Sequence, residues 1–308
     1  MQKILITGVG GFIASHIAIR FRDLGYEVVG VDDLSTGRLE NIPEGIEFFQ
    51  DDLSSLGIES RLPGGCRIIL HLAGQSSGEI SFDNPLLDLE KNTASTLNLI
   101  RYGIRNGASR IVYASSMSVY GKVPDEPIAE TFVPVPLSCY GVSKLASECY
   151  LRIFQNQLSF VSLRMFNVYG PGQDLGNLRQ GMLSIFLAQA LNGGDIEVKG
   201  GTARYRDFIF IDDVVETWVR AATYPDAKNQ TINVGTGIRT TVGGLLDRIL
   251  HEVPGSRYSI NGTTPGDQEG IWADTTKLSF LLGMRDFTPL GAGLRAFVAW
   301  ASPILISN

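Results

Sequence analysis

Residues 7–16 read TGVGGFIASH and decide the fold of the amino-terminal part of this 308-residue chain. The stretch comes directly after a short β-branched run and opens a segment of helical length. A strand, a glycine-rich turn and a helix in this order are the context of a dinucleotide-binding fingerprint. Gly8 allows the tight turn, Gly11 lets the backbone approach a pyrophosphate at the helix N-terminus, and Ala14 takes the third small position.

Asp32 supports the same interpretation. It ends the second predicted strand, roughly twenty residues beyond the glycine turn, where the fingerprint has an acid that binds the adenosine ribose. An acid at this position repels the additional phosphate of NADP. The sequence therefore predicts NAD as the cofactor.

The order of elements predicts an α/β fold with a doubly wound, Rossmann-like parallel sheet, because strands alternate with helical segments as far as residue 166. The predicted strands are 2–7, 27–31, 46–50, 67–72, 109–115 and 160–166. The predicted helices are 12–24, 85–105 and 138–157.

The pattern changes at Asn167, where glycines and a proline interrupt regular structure. Beyond it we predict a helix at 178–191, a strand at 207–213 leading into a helix that reaches Ala222, and a strand at 231–234 that returns to the main sheet. The predicted NAD-binding domain comprises residues 1–166 and 207–234. Residues 167–206 and 235–308 form a smaller, discontinuous lobe for the substrate.

Composition excludes several classes of function. The net charge is −6 and no long basic block is present, so nucleic acid is not an expected partner. The chain has neither a secretory leader pattern nor a run of about 18 apolar residues, so no membrane segment is expected. Cys66, Cys139 and Cys149 lack metal-ligand spacing and are typical of reduced thiols, which favours a cytoplasmic protein without a metal site.

Tyr140 and Lys144 are the candidate catalytic pair. On a helix, residues i and i+4 lie on the same face. The lysine ammonium is then expected to lower the pKa of the phenol, which makes the tyrosine a general acid and base for chemistry at a hydroxyl group. Because Tyr-x-x-x-Lys also occurs by chance, a half-exposed helix face is the alternative.

Eight motifs occur in a characteristic order: TGVGGFIASH (7–16), DDLSTG (32–37), HLAG (71–74), YASSMSVYG (113–121), YGVSK (140–144), LRMFNVYGPG (163–172), RDF (206–208) and PGD (265–267). Through them the chain resembles the extended short-chain dehydrogenase/reductase family, in particular its NAD-dependent nucleotide-sugar epimerase/dehydratase group. The resemblance extends from Ile4 to about Gly283.

The resemblance implies a set of cofactor-binding residues: Gly8, Gly11, Phe12, Ile13, Asp32, Asp33, Ser35, Thr36, Gly37, Asp52, Leu53, Leu72, Ala73, Gly74, Asn92, Ser115, Tyr140, Lys144 and Phe166. A plain loop role is the alternative for Asp52. His71, inside the HLAG motif, is expected to be a packed residue and not a catalyst.

The resemblance also implies a catalytic triad of Ser116, Tyr140 and Lys144. The implied substrate-binding residues are Ser76, Ser118, Asn167, Arg206 and Asp267. A surface ion pair is the alternative for Arg206. Thr264 stands where the family often has a second phosphate-binding arginine, for which Arg179 and Arg204 are candidate replacements.

Residues 117–119 bear on the reaction type. In the family, dehydratases carry an Asp-Glu pair here and decarboxylating relatives a Glu, whereas this chain has Met117, Ser118 and Val119. The resemblance therefore implies epimerisation of a nucleotide-diphosphate sugar at C4, a UDP-sugar being favoured, by a homodimer. A 4-keto-sugar reductase and a non-catalytic NAD-binding scaffold are the alternatives.

Overall fold

The computed structural model describes residues 2–262 and 269–306. Its strands are β1 (Lys3–Thr7), β2 (Glu27–Asp32), β3 (Glu47–Gln50), β4 (Ile68–His71), β5 (Arg110–Ser116), β6 (Ser159–Met165), β7 (Asn167–Tyr169), β8 (Asp195–Val198), β9 (Tyr205–Arg206), β10 (Phe208–Phe210), β11 (Gln230–Val234), β12 (Thr240–Thr241) and β13 (Arg257–Ile260). Its α-helices are α1 (Phe12–Asp23), α2 (Ile80–Asp83), α3 (Pro85–Leu89), α4 (Ser95–Arg105), α5 (Cys139–Ile153), α6 (Met182–Leu191), α7 (Ile211–Thr223), α8 (Val242–Glu252), α9 (Thr276–Leu282) and α10 (Leu290–Ile306).

A parallel sheet of seven strands forms the centre of the fold, in the order β11-β6-β5-β4-β1-β2-β3. Strand β1 lies between β2 and β4, so the chain leaves β1 in one direction first and then returns to build the other half. This order confirms the predicted doubly wound, Rossmann-like sheet. It also places the topological switch point, where such folds bind ligands, between the carboxyl ends of β1 and β4.

Both faces of the sheet are covered, because successive side chains of a strand point to opposite sides. Ile4 and Ile6 of β1 belong to the apolar cluster that contains Trp218 of α7. Leu5, between them, belongs to a second cluster with Leu99 of α4. Burial on both faces explains why the strands read as continuous apolar runs and not as alternating ones.

Four predicted elements differ from the structure by more than two residues or in their regularity, and one of them is the helix predicted at 138–157, which ends at Ile153. The strand predicted at 207–213 ends at Phe210, and α7 begins at Ile211 with Asp212 and Asp213 in its first turn, where acids are stabilising. The helix predicted at 178–191 begins only at Met182. The helix predicted at 85–105 contains a π-helical turn at Glu90–Ala94.

Helices from the segments predicted as the smaller lobe pack on the same apolar cluster as one face of the sheet. Leu187 of α6, Leu245 of α8 and Phe297 of α10 are fully buried there. Strand β11 pairs in register with β6, so the predicted return of the chain to the main sheet is confirmed. The division of the sequence into two domains stays a prediction. No helix within the described residues has the length and apolarity needed to cross a membrane.

Candidate active site

The glycine turn closes on the neighbouring strand at the switch point. Gly8 has φ of +71°, and a Cβ there would lie 2.8 Å from the backbone nitrogen of Ala73, which follows β4. Gly11 donates its N–H to the carbonyl of Gly8 at 2.9 Å and directly precedes α1. The turn therefore presents bare backbone and a helix N-terminus to the crevice, as the binding of a pyrophosphate requires.

Asp32 is held against this turn. Its carboxylate accepts hydrogen bonds from the N–H of Gly10 at 2.9 Å and of Leu34 at 2.8 Å. Burial raises the pKa of this carboxyl, while the two backbone donors oppose the rise. The acid that was predicted to select NAD thus lies at the glycine turn, as the fingerprint requires.

Lys91 joins two of the predicted cofactor residues. Its ammonium lies 2.6 Å from Asp33 and 2.9 Å from Asp52. Burial opposes ionisation of Asp33, but the hydrogen bonds from Lys91 and Ser35 outweigh it and hold the pKa of that carboxyl below its usual value. Asp52 is therefore part of a charged cluster at the edge of β2 and β3, and the sequence alone did not indicate Lys91.

His71 is a packed structural residue, as predicted. It is fully buried between Thr7, at 2.9 Å from Nδ1, and Thr96, at 3.1 Å from Nε2. Burial lowers its pKa to about 3, so the ring is neutral at ordinary pH. The Thr7 hydroxyl also accepts from the N–H groups of Leu72 and Ala73, which fixes the backbone that faces the glycine turn.

Asn92 provides the test of whether the crevice fits a dinucleotide. Its Nδ2 donates to Asp88, but its buried Oδ1 has no hydrogen-bond partner among the described residues. That oxygen faces Gly74, where a Cβ would lie 2.3 Å from it. Because buried polar atoms are normally paired, this acceptor is consistent with a ligand donor in the crevice. The cradle and the donor set fit NAD.

The predicted triad meets where β5 ends and α5 begins. Ser138 caps α5 by accepting from the N–H of Gly141 at 3.1 Å, and Tyr140 and Lys144 then follow on one helix face. Tyr140 is 8% exposed and Lys144 is 3% exposed. The hydroxyl of Ser116 lies 3.2 Å from that of Ser118 and accepts a hydrogen bond from the Ser118 N–H.

The prediction that the pKa of Tyr140 lies below its usual value is wrong. Burial raises the pKa of Tyr140 to about 12, although the Ser116 hydroxyl opposes the rise. The ammonium lies 5.5 Å from the centroid of the Tyr140 ring and 5.1 Å from that of Tyr113. Burial also lowers the pKa of Lys144 to about 8. Desolvation, which the i, i+4 spacing does not reveal, therefore dominates both groups.

Asp88 is a buried carboxylate beside the triad that sequence reasoning missed. It is 1% exposed, and it accepts hydrogen bonds from Ser143 at 2.7 Å and from Asn92 at 3.1 Å. Its negative charge raises the pKa of Lys144 and thereby opposes the effect of burial. The i, i+4 spacing between Asp88 and Asn92 was the available signal.

A second buried network, of hydrogen bonds and one ion pair, lies next to Ser116 along β5. Glu148 forms a bidentate ion pair with Arg164, with nitrogen-to-oxygen distances of 2.9 and 2.7 Å. Ser115 donates its hydroxyl to the same carboxylate, so the hydroxyl of this predicted cofactor residue has a partner within the protein. Because Ser115 precedes Ser116, the network fixes the end of β5.

A cavity of about 430 Å³ adjoins the triad. It is lined by four of the predicted substrate residues, Ser76, Ser118, Asn167 and Arg206, together with Met117. Asn167 lies in β7, and its Nδ2 is 3.0 Å from the carbonyl of Asp207, next to Arg206. The cavity therefore extends from Met117 and Ser138, which neighbour the triad residues along the chain, to the buried Arg206.

The remaining predicted cofactor residues lie at the start of α1 or in segments that follow strands of the central sheet. Phe12 and Ile13 begin α1, Leu53 and Phe166 are buried, and the Thr36–Gly37 loop follows β2. Asp267 and Thr264 lie outside the described residues.

Comparison with known proteins agrees with this geometry. The model of the NAD dependent epimerase/dehydratase family matches residues 4–235. The chain belongs to this family. The resemblance stated from the motifs, the fold and the NAD cofactor are thereby confirmed.

The similar proteins are named for more than one type of reaction. UDP-glucose 4-epimerase of Mycolicibacterium smegmatis is 33% identical over 303 residues, which cover 95% of this chain and 96% of the relative. The crystal structure of UDP-glucose 4-epimerase from Thermotoga maritima with UDP-glucose has a TM-score of 0.94 and 31% identity, and the match covers 98% of this chain and 99% of that one. UDP-glucuronic acid decarboxylase 1 of Xenopus tropicalis is 30% identical over 302 residues, 95% of this chain and 70% of the relative. The chain is thus a NAD-dependent enzyme similar to UDP-glucose 4-epimerases.

Replacing Asp32 by Ser is expected to shift the ratio of the dissociation constants for NADP and NAD by about tenfold or more in favour of NADP. The substitution removes the proposed acceptor for the ribose hydroxyl and the charge that is expected to repel the added phosphate. Equilibrium titration of the protein with each dinucleotide measures the ratio. Asp23→Asn, at the far end of α1, is the control for loss of one carboxylate, and an unchanged ratio in Asp32→Ser would contradict the assignment.

Proposed function

We propose that the protein interconverts the C4 epimers of a UDP-sugar through a transient 4-keto intermediate. The observation that carries this proposal is that the cavity beside Ser116, Tyr140 and Lys144 has Met117 and Ser118 where the elimination chemistry of the family needs an acid. A thioether does not transfer protons, so oxidation and reduction at one carbon is the reaction that this end of the cavity supports best.

In this proposal Tyr140 is the general acid and base. Its phenol oxygen takes the proton of the C4 hydroxyl and later returns it, while Ser116 holds the substrate oxygen by a hydrogen bond. NAD, when bound, supplies the acceptor and donor of hydride. The hydroxyl of Ser116 favours the phenolate and so acts against the burial that raises the pKa of Tyr140. We propose that the ammonium of Lys144, 5.5 Å from the centroid of the ring, stabilises the phenolate once it forms.

Arg206 and Asn167 are proposed to hold the diphosphate of the nucleotide. Arg206 is 3% exposed, lies in β9 and lines the same cavity, and a guanidinium binds phosphate oxygens through paired hydrogen bonds. The amide of Asn167 lies beside it on β7. We propose that the diphosphate binds at Arg206 and that the sugar binds near Met117 and Ser138, which are the lining residues closest in sequence to Ser116 and Tyr140.

The direct test is incubation of the purified protein with UDP-galactose and NAD and with no added reductant. Appearance of UDP-glucose, followed by ¹H NMR or by anion-exchange chromatography, is the expected result. A requirement for stoichiometric NADH would instead indicate a keto-sugar reductase. Inertness toward UDP-galactose, UDP-N-acetylgalactosamine and UDP-galacturonate alike would favour a non-catalytic NAD-binding protein.

We also propose a homodimer, with α3 and α5 at the contact. Val142 and Ile153 of α5 are 54% and 69% exposed, and Leu86 and Leu89 of α3 are 72% and 47% exposed. Contiguous exposed apolar surface is typical of a protein–protein contact. Val142→Asp is therefore expected to shift the protein from dimer to monomer in light scattering. Leu56→Asp, at a position that is 96% exposed, is the matched control and is expected to leave the mass unchanged.

A further inference from the structure

Asn92 lies in an irregular turn that is held on two sides. Residues Glu90–Ala94 form a π-helical turn between α3 and α4, and such turns occur frequently at functional sites. The carbonyl of Asn92 accepts hydrogen bonds from the hydroxyl of Thr96 at 2.6 Å and from that of Ser147 at 3.1 Å. The backbone of Asn92 is therefore held by α4 and by α5, and its fully buried side chain faces Gly74.

The amide of Asn92 has two ends with opposite hydrogen-bonding roles, because Nδ2 can only donate and Oδ1 can only accept. Nδ2 donates to Oδ1 of Asp88 at 3.1 Å. Oδ1 faces the crevice and has no partner among the described residues. The reverse orientation would present a donor to the crevice, so the orientation of this amide determines which kind of ligand group can bind there.

Asp88 is placed to fix that orientation. It lies on α3 and is 1% exposed. An ionised carboxylate accepts hydrogen bonds and donates none, so it can pair with Nδ2 of Asn92 but not with Oδ1. Burial raises the pKa of the Asp88 carboxyl, whereas the hydrogen bond from Ser143 and the positive charge of Lys144 oppose the rise and favour the ionised form.

The acceptor that results suits one class of group on NAD. Pyrophosphate oxygens cannot donate a hydrogen bond to Oδ1 of Asn92, and the glycine turn with the N-terminus of α1 provides donors for them instead. The ribose hydroxyls and the amino groups of the adenine and of the nicotinamide carboxamide can donate. Asn92 is therefore suited to a hydroxyl or an amino group of the dinucleotide and not to a phosphate.

We infer that Asp88 is a positioning residue for the cofactor, which orients the amide of Asn92 so that Oδ1 accepts a hydrogen bond from a hydroxyl or amino group of NAD. The inference goes beyond the proposed function, because it concerns the binding of NAD and holds for whichever sugar the enzyme epimerises. A purely structural role is the competing explanation, since Asp88 also accepts from Ser143 at 2.7 Å and so joins α3 to α5. The two explanations predict different results.

The test is a double-mutant cycle on the dissociation constant of NAD, measured by calorimetry on protein freed of copurified dinucleotide. Asp88→Ala leaves the Asn92 amide free to turn, and Asn92→Ala removes the acceptor, so each variant is expected to weaken NAD binding by about tenfold. The double variant is also expected to weaken it by about tenfold, because Asp88 acts through Asn92. An unchanged dissociation constant in Asp88→Ala, or a loss of about a hundredfold in the double variant, would overturn the inference.

Two further variants separate the orientation of Asn92 from the packing of the helices. Asp88→Asn still offers an oxygen to Nδ2 of Asn92, and because its amide can also take the reverse orientation, it is expected to weaken NAD binding by only about twofold. Ser143→Ala removes the bond between α3 and α5 but leaves Asn92 paired. It is expected to lower the melting temperature and to leave the dissociation constant unchanged. If Ser143→Ala weakened NAD binding as much as Asp88→Ala, Asp88 would act through α5 and the inference would be wrong.

Asp226→Ala is the control for the loss of one carboxylate. Asp226 is exposed and precedes β11, at the edge of the sheet opposite to the crevice, so the dissociation constant of NAD is expected to stay unchanged. If Asp88→Ala does not fold, Asp88→Ser takes its place in the cycle with the same expected results. A hydroxyl both donates and accepts, and so it does not fix the orientation of the Asn92 amide.

Discussion

Tyr140→Phe is expected to lower kcat for epimerisation by about a thousandfold or more while the protein still binds NAD. The substitution removes only the phenol oxygen, which is the one group proposed to take and return the proton of the sugar hydroxyl. The ring itself is buried, so phenylalanine keeps its packing and its position next to Lys144. Initial rates with UDP-galactose and a titration with NAD measure the two effects independently.

Tyr224→Phe is the matched control for that experiment. Tyr224 is 41% exposed and packs its ring at 5.9 Å from the guanidinium of Arg220, a contact that phenylalanine retains. The kcat of the Tyr224→Phe variant is expected to equal that of the unmodified protein. If Tyr140→Phe kept more than a tenth of the original kcat, another group would have to move the proton.

The sequence was sufficient for those features that depend on neighbours along the chain. Alternation of strands and helices predicts the sheet, and the position of Gly8 directly after the first strand predicts the tight turn that it forms with φ of +71°. The triad was also predictable, because Tyr140 and Lys144 share one helix face and Ser116 ends a strand. Each of these patterns involves residues that are close together in the sequence and is compatible with one local structure.

Contacts between distant segments were beyond the sequence. Lys91 reaches Asp33 across 58 positions, and Arg179 reaches Glu79 across 100, and neither pairing leaves a local pattern. Arg179 was a candidate for the missing phosphate-binding arginine, but its hydrogen bonds to Glu79 and Asp83 argue against that role. The pKa of Tyr140 was predicted wrongly for a related reason. Spacing along the sequence shows which groups are neighbours, but it does not show how strongly burial desolvates them.

The burial of Lys144 leads to a prediction that joins activity and stability. Its pKa is about 8 in the folded protein, compared with 10.5 for an exposed lysine. Between these two values the unfolded chain binds more protons than the folded one, so this group makes the free energy of unfolding rise with pH. From pH 8 to pH 9.5 the rise is about 2 kcal/mol, and it stops above pH 10.5.

Lys144→Met is therefore expected to have two effects. The free energy of unfolding, measured by urea titration at pH 7.5 and 9.5, should rise by about 2 kcal/mol less over this interval than in the unmodified protein. The kcat for epimerisation should fall by about a hundredfold, because the phenolate of Tyr140 loses its nearby cation while burial still opposes ionisation. Lys228→Met, at an exposed position, is the control and should change neither quantity. If the variant lost activity but kept the original pH dependence of stability, the ammonium of Lys144 would be solvated in the folded protein. The proposed electrostatic effect of Lys144 on Tyr140 would then be wrong.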